Sequence, residues 1–265
     1  MNLFAFKLII TPLLLLAASL AVRRWGETIG GLIVGLPLTS GPVSVFLALE
    51  YGSGFAVRAT SGSLAATAAQ AAFCLVYCGM ATFGWPAALA GASVAFAGTA
   101  ALLQESGLAQ GVLFLIALLS LALTLYATPS SAAQGNRLRP PWWDLPVRMV
   151  LVTGLVLGVT LIAPHIGPGA SGVVASFPLM ATILGVFAHR LAGPHAARQV
   201  MRGLAAGLFG FAAFFYVVSL MLARYGLFAA YGSAAACAIA LQVFALSQMR
   251  RRGGKKAAAP KEPRP

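Results

Sequence analysis

The stretch GLPLTSGP, residues 35–42, lies in the middle of an apolar run that extends from Ile29 to Glu50. It contains two prolines and two glycines, and an interior proline destabilises a helix by about 3 kcal/mol. Inside a lipid bilayer, non-helical backbone is tolerated only where protein covers it or where it lines a wet cavity. The stretch therefore predicts a transmembrane helix that is broken near its midpoint, beside a cavity.

The composition of the whole chain indicates a membrane protein. Of 265 residues, 60% are hydrophobic and 9% are charged, and the mean hydropathy is +0.88, which is far more apolar than a soluble domain. Apolar runs of about 20 residues, the length that crosses a hydrocarbon core, recur from end to end. They are longer than barrel strands and do not alternate strictly. We therefore predict an all-α polytopic membrane protein.

The apolar runs predict nine transmembrane helices. The first is expected to be a retained span and not a signal peptide, because Arg23 and Arg24 follow its apolar run instead of preceding it. The nine expected spans are 2–22, 29–50, 58–81, 83–103, 108–127, 147–164, 170–188, 199–222 and 225–247.

Basic residues fall almost entirely on one side of the membrane if these spans alternate. That side carries the tail, 248–265, together with Arg23, Arg24, Arg137, Arg139, Arg148, Arg190, Arg198 and Arg202. Cytoplasmic loops carry such an excess, so we expect an inner-membrane protein with its N-terminus outside and its C-terminus in the cytoplasm. The net charge of +13 then reflects these loops and a tail that attracts anionic lipid headgroups. No nucleic-acid partner is expected.

Two segments of the chain, 25–46 and 166–187, resemble each other at a spacing of 141 residues. Five spans separate equivalent positions, and because this number is odd, the second copy should enter the membrane from the opposite face. The matches are Gly26 with Gly167, Gly31 with Gly172, Pro37-Leu38 with Pro178-Leu179, Val45-Phe46 with Val186-Phe187 and, after a one-residue gap, Arg58 with Arg198. The expected units are a first four-helix repeat (1–103), a linking helix and cytoplasmic loop (104–146), a second, inverted four-helix repeat (147–247) and a disordered basic tail (248–265).

The repeat predicts a substrate site between spans 2 and 7. In carriers with inverted repeats, broken helices from the two halves meet near the midplane and form that site. In span 2, we expect a half-helix that starts at Gly41-Pro42 with Ser40 or Gly41 as its N-cap, and its free N–H groups would attract an anion. In span 7 we expect a kink and not necessarily a full break. The candidate substrate-binding residues are Pro37, Thr39, Ser40, Gly41, Pro42, Ser44, Pro178 and Thr182. The alternative is that these residues only bend two helices.

Ionisable side chains offer little chemistry inside the membrane. Glu50 and Arg58 form a candidate gating pair at the outer ends of spans 2 and 3, with an interfacial pair of no transport role as the alternative. No catalytic set of residues is evident, so no enzyme, metal or cofactor is expected. The buried amides of Gln70 and Gln242 favour hydrogen bonds between helices over a place in a pore.

The pattern G-L-P-x-x-x-G-P at residues 35–42, with a weaker second copy around Pro178, resembles duplicated bacterial inner-membrane permease-like proteins of the AbrB type. The resemblance covers only the neighbourhood of each proline, and this chain is shorter than such proteins usually are. It implies a transporter-like fold and no particular substrate.

Together these features predict a secondary transporter for a small anionic or amphiphilic metabolite that works by alternating access. A lipid flippase or channel of the same architecture is the first alternative. The second, from another class, is a non-transporting membrane scaffold or assembly protein. Small residues spaced four apart, such as Gly154 and Gly158, favour close helix contacts, and these would suit packing within one chain or in a homo-oligomer.

Overall fold

The computed structural model describes residue 37 and residues 40–128 and 144–257 of the chain. The first predicted span, the first part of the second, most of the loop that is predicted to be cytoplasmic and the end of the tail lie outside the described residues. The described part is almost entirely helical, at 94%, and contains no strand. Its helices are α1 (Ser40–Tyr51), α2 (Ser53–Met80), α3 (Trp85–Glu105), α4 (Gln110–Ala127), α5 (Asp144–Ala175) and α6 (Leu179–Ala257), with a 3-10 turn at Ala81–Phe83.

Single glycines divide the two longest helices. Gly167 interrupts α5, and Gly193 and Gly226 interrupt α6, each with a positive φ and an extended ψ. This backbone conformation is essentially restricted to glycine, because a Cβ atom would clash with the neighbouring peptide groups. The straight segments are therefore 144–166 and 168–175 in α5, and 179–192, 194–225 and 227–257 in α6.

Several of these helices are long and apolar enough to span a membrane. They are Ser53–Phe83, Trp85–Glu105, Gln110–Ala127 and the interrupted stretch Thr182–Ala245, with a shorter apolar helix at Leu161–Ala175. On α4, one stripe of large apolar side chains has no protein cover in the described structure, as expected for contact with lipid chains. The stripe consists of Val112, Leu115, Leu119 and Leu123.

The predicted spans 83–103 and 108–127 agree closely with α3 and α4, but other boundaries differ. The predicted gaps at 165–169 and 189–198 are replaced by breaks at the single residues Gly167 and Gly193. The predicted seventh span, 170–188, contains the end of α5 and the start of α6. Hydropathy locates apolar runs, whereas one glycine can redirect a helix without any polar residue.

Helix α2 forms the centre of the described bundle. Its most apolar window is 72% buried, against 22% in both α3 and α4, and it packs against all five other helices. Its sequence is rich in alanine, glycine, serine and threonine, and such small side chains let neighbouring backbones approach closely. A methyl group added to Gly62 would overlap the carbonyl oxygen of Gly169. The short segment 168–175 therefore lies directly against α2.

Helices α2 and α4 run in the same direction. Near the start of both, Gln110 Nε2 donates a hydrogen bond of 3.0 Å to the carbonyl oxygen of Val57. Further along both, Thr124 Oγ1 donates one of 3.2 Å to the carbonyl oxygen of Ala71. Two such contacts in the same order along the chain fix a parallel arrangement.

The segment 194–225 runs in the opposite direction to both. Near its start, Arg198 Nε donates a 3.0 Å hydrogen bond to the carbonyl oxygen of Cys78, close to the end of α2. Near its end, the ring of Tyr216 stacks on Phe114, close to the start of α4, with 4.3 Å between centroids. The segment is therefore antiparallel to α2.

Candidate functional site

The backbone is non-helical at both prolines of the predicted breaks, and the helices that follow and precede them are in contact. Pro37 is buried and non-helical, and α1 begins at Ser40; Pro178 is buried and non-helical, between the end of α5 and the start of α6. Ser40 Oγ donates a buried hydrogen bond of 2.9 Å to the carbonyl oxygen of Ala175, the last residue of α5. The start of α1 is thus hydrogen-bonded to the end of α5.

Apolar packing holds α1 in this position. Val43, Phe46 and Leu47, on one face of α1, belong to a buried cluster with Ala163 and Ala175 of α5. In a bilayer, helices associate through such van der Waals packing and through hydrogen bonds between them, so the packing between α1 and α5 keeps Ser40 close to Ala175.

The first break differs in detail from its prediction. The backbone N–H of Gly41 donates to the carbonyl oxygen of Pro37 at 2.8 Å, and Ser40 is already the first helical residue. The expected N-cap at Ser40 or Gly41 is therefore wrong, because Ser40 is helical and the N–H of Gly41 already bonds to a carbonyl four residues back. Pro42 lies in α1 directly after the glycine that makes this bond. Thr39 lies outside the described residues.

The second break is complete, which goes beyond the kink that the sequence predicted as the minimum. Helix α5 ends at Ala175, the three residues Ser176–Pro178 are non-helical, and α6 begins at Leu179. Pro178 disfavours the helical conformation of the residue before it. That residue, Phe177, instead packs its ring edge-on against Phe73 at 6.5 Å and Phe96 at 5.2 Å between centroids.

Gln70 connects the central helix to this second break. Its side chain is 3% exposed, and its Nε2 donates a hydrogen bond to the carbonyl oxygen of Ser176. The predicted hydrogen bonds between helices are confirmed both here and for Gln242, whose Nε2 donates to the carbonyl oxygen of Gly207 at 2.7 Å. The position of Gln70 beside the broken backbone was not predicted, because the amide has no partner nearby in sequence.

The hydroxyl groups around the two breaks fall into two sets. At the first break, Ser40 bonds to Ala175 and Ser44 Oγ lies 2.6 Å from the hydroxyl of Tyr231. At the second, the buried oxygens Ser176 Oγ and Thr182 Oγ1 have no hydrogen-bond partner in the described part of the chain. Between the two sets, the described hydroxyls at the second break are therefore the ones free to bind another molecule.

A set of contacts closes the end of the bundle that holds the ends of α2 and α4. The hydroxyl of Tyr77 lies 3.4 Å from His189 Nδ1. Arg198 bonds to the carbonyl oxygen of Cys78, and Arg202 Nη1 donates to that of Leu125 at 2.7 Å. Both guanidinium groups thus lie at the carboxyl ends of helices, where the helix dipole is negative.

Glu50 and Arg58 lie on either side of Gly52 and are both exposed. Their role as a gating pair stays a prediction. Within the described ranges, no group of three or more His, Cys, Asp or Glu residues is placed to hold a metal ion.

No protein-family model, curated protein or solved structure matches the chain. The resemblance to AbrB-type proteins stays a prediction, and the candidate site is defined by its own geometry.

Proposed function

We propose that the chain is a secondary transporter whose substrate site lies between the two broken helices, near the membrane midplane. The observation that carries this proposal is the buried hydrogen bond between Ser40 and Ala175, which joins two helix breaks 135 residues apart in sequence. Non-helical backbone is costly at this depth unless protein covers it or it lines a cavity. Paired breaks of this kind form the binding sites of carriers with inverted repeats.

The positive-φ glycines support the inverted repeat. Gly52 (φ 85°) and Gly193 (φ 81°) are 141 residues apart, and Gly84 (φ 94°) and Gly226 (φ 77°) are 142 residues apart. In the first half, Gly52 and Gly84 enclose α2, and in the second half, Gly193 and Gly226 enclose 194–225. These helices are antiparallel, as two inverted copies would be. We infer that 1–103 and 147–247 are the two copies, with 104–146 as the link between them.

Alternating access would open one side of the site at a time. On the side of Gly52, the hydrogen bond between Ser44 and Tyr231 joins the two halves. On the side of Gly193, Cys78 and Arg198 join them. These hydrogen bonds are polar contacts, so each can exchange with water when the halves rock apart. We assign the second side to the cytoplasm, because Arg202 bonds there to Thr128, next to the basic loop.

The same orientation leads us to propose an inner-membrane location, with the N-terminus outside and the tail against anionic lipid headgroups. Uptake into liposomes that contain the purified protein tests the transporter. Labelled carboxylates and phosphates are compared with neutral and cationic metabolites of similar size, and empty liposomes give the background. A carrier takes up at least one compound with saturable kinetics, and Gln70→Leu lowers that uptake about tenfold or more, a loss of roughly 1.4 kcal/mol.

Other outcomes would contradict a carrier. Uptake that rises linearly with concentration indicates a channel. Movement of a labelled lipid between leaflets without solute uptake indicates a flippase. If neither solute nor lipid moves, the proposal fails and a scaffold or assembly protein is favoured.

A further inference from the structure

We propose that the second break contacts the substrate, and that Ser176 and Thr182 bind a compact oxyanion there, either a carboxylate or a phosphate. This inference rests on the proposed transporter and names its substrate class. It also changes the expected site, because Ser40 and Ser44 of the first break are assigned to structure and Ser176 is added.

The described hydroxyl groups at the two breaks differ in whether they have hydrogen-bond partners. Ser40 and Ser44 are satisfied by Ala175 and Tyr231. Ser176 is 2% exposed, yet its hydroxyl, like that of Thr182, has no partner among the described residues. A buried polar group without a partner costs about 1–3 kcal/mol, so two of them close together in the chain call for a molecule that binds there.

The start of α6 favours a negatively charged ligand. Thr182 is the first residue of α6 whose N–H bonds back into the turn, to the carbonyl oxygen of Pro178 at 2.9 Å. The preceding N–H groups, of Leu179 to Ala181, have no partner within the helix. The start of a 14-residue straight segment, 179–192, therefore carries partial positive charge beside two hydroxyl donors, which favours an anion.

The backbone carbonyls around the second break are poorly suited to bind a cation. The carbonyl oxygens at the end of α5 all accept hydrogen bonds from the protein. The donors are the N–H of Ser176 for Gly172 and Val173, the N–H of Phe177 for Val174, Ser40 for Ala175 and Gln70 for Ser176. These five carbonyl oxygens already accept hydrogen bonds from the protein, so they are poorly placed to bind Na⁺.

The surroundings limit the size of the group that binds. Phe177 adjoins Ser176 and packs against Phe73 and Phe96. Rings so close exclude water, and hydrogen bonds to an anion are stronger in such an environment than in water. A single carboxylate or phosphate group suits this space, and the rest of a larger substrate would extend away from the rings.

The test is thermal unfolding of the purified full-length protein in detergent at constant ionic strength. The probes are acetate, succinate and inorganic phosphate, with acetamide and succinamide as neutral analogues of the same shape. We expect at least one anion to raise the unfolding temperature with saturation, and the amides to leave it unchanged. Short-chain phosphatidic acid, compared with inorganic phosphate, distinguishes a lipid headgroup from a free solute as the source of the oxyanion.

Two variants make the test specific. Ser176→Ala should leave the ligand-free unfolding temperature unchanged or higher, because it removes an unpaired hydroxyl, and should weaken anion binding at least tenfold. Thr182→Val should weaken it as well. Ser219→Ala is the matched control, since that buried hydroxyl bonds to the carbonyl oxygen of Tyr216 at 2.7 Å, and it should leave anion binding unchanged.

The inference is overturned if no anion stabilises the protein, if the amides stabilise it equally, or if Ser176→Ala binds anions as the wild type does. Its failure can be distinguished from that of the transporter. If Ser176→Ala loses anion binding but the wild-type protein shows no uptake into liposomes, the inference is supported and the carrier is contradicted. Saturable uptake of a neutral or cationic compound that Ser176→Ala does not change supports the carrier and contradicts the inference.

Discussion

At the residue scale, Gln70 holds the second break through the carbonyl oxygen of Ser176. Gln70→Leu leaves this carbonyl buried without its partner, so we expect a loss of about 1–3 kcal/mol in the free energy of unfolding. Thermal unfolding in detergent measures the loss. The control is Gln242→Leu, because the carbonyl oxygen of Gly207 lies within a helix; it should cost less stability and leave uptake intact. Equal loss of uptake in both variants would show that Gln70 has no special role.

The sequence predicted some of these residues and missed others for a physical reason. Prolines change the backbone wherever they stand, so Pro37 and Pro178 could be identified as breaks. The partner of a hydroxyl or amide depends on tertiary packing, and Ser40 bonds to a residue far along the chain. The one feature of the sequence that could have pointed to Ser176 is its position two residues before Pro178.

At the element scale, the turns between helices depend on single glycines. Gly52 has φ 85° and ψ 162°, and alanine there should cost about 1–3 kcal/mol of stability because few L-residues adopt this conformation. Gly79 provides the control, since it is helical and a methyl group there would meet no atom within 4 Å. Gly79→Ala should therefore stabilise the protein by about 0.5–1 kcal/mol. If Gly52→Ala unfolds at the same temperature as the wild type, the glycine does not determine the turn.

Hydropathy predicted the helices better than their ends. Runs such as 83–103 and 108–127 are bounded by polar or turn-forming residues and agree with α3 and α4. The break at 176–178 lies inside an apolar run, so composition alone gave no boundary, and a lone proline without a following Gly-Pro indicated only a kink. Its full extent depends on the packing of Phe177 and on partners from α1 and α2.

At the scale of the whole molecule, the charge distribution predicts the orientation in the membrane. With the native cysteines replaced by alanine, Ser130→Cys should not react with a membrane-impermeant maleimide in intact cells, because its loop is expected in the cytoplasm. Ser106→Cys, in the exposed turn after α3, should react. Permeabilised cells control for access to both thiols. The reverse pattern would invert the orientation that we propose.

The inverted repeat that we propose also concerns the whole molecule. The sequence suggested it through matched glycines and prolines, and an odd number of spans gave the inversion. The direction of individual helices needs contacts between distant residues, such as that of Arg198 with Cys78, which no pattern within one segment contains.

The most direct measurement is a cross-link between the two breaks in native membranes. Ser40→Cys and Ala175→Cys are combined in the chain without native cysteines, with a protease site inserted in 129–143, and oxidised. The control pairs Ser40→Cys with Ser247→Cys. Ser44, one turn after Ser40, contacts Tyr231, and Ser247 lies about 24 Å further along the helix that contains Tyr231. If the broken helices meet as proposed, the cleaved halves stay joined on a non-reducing gel for the first pair alone. Separation of the halves for the first pair would contradict the site between the breaks.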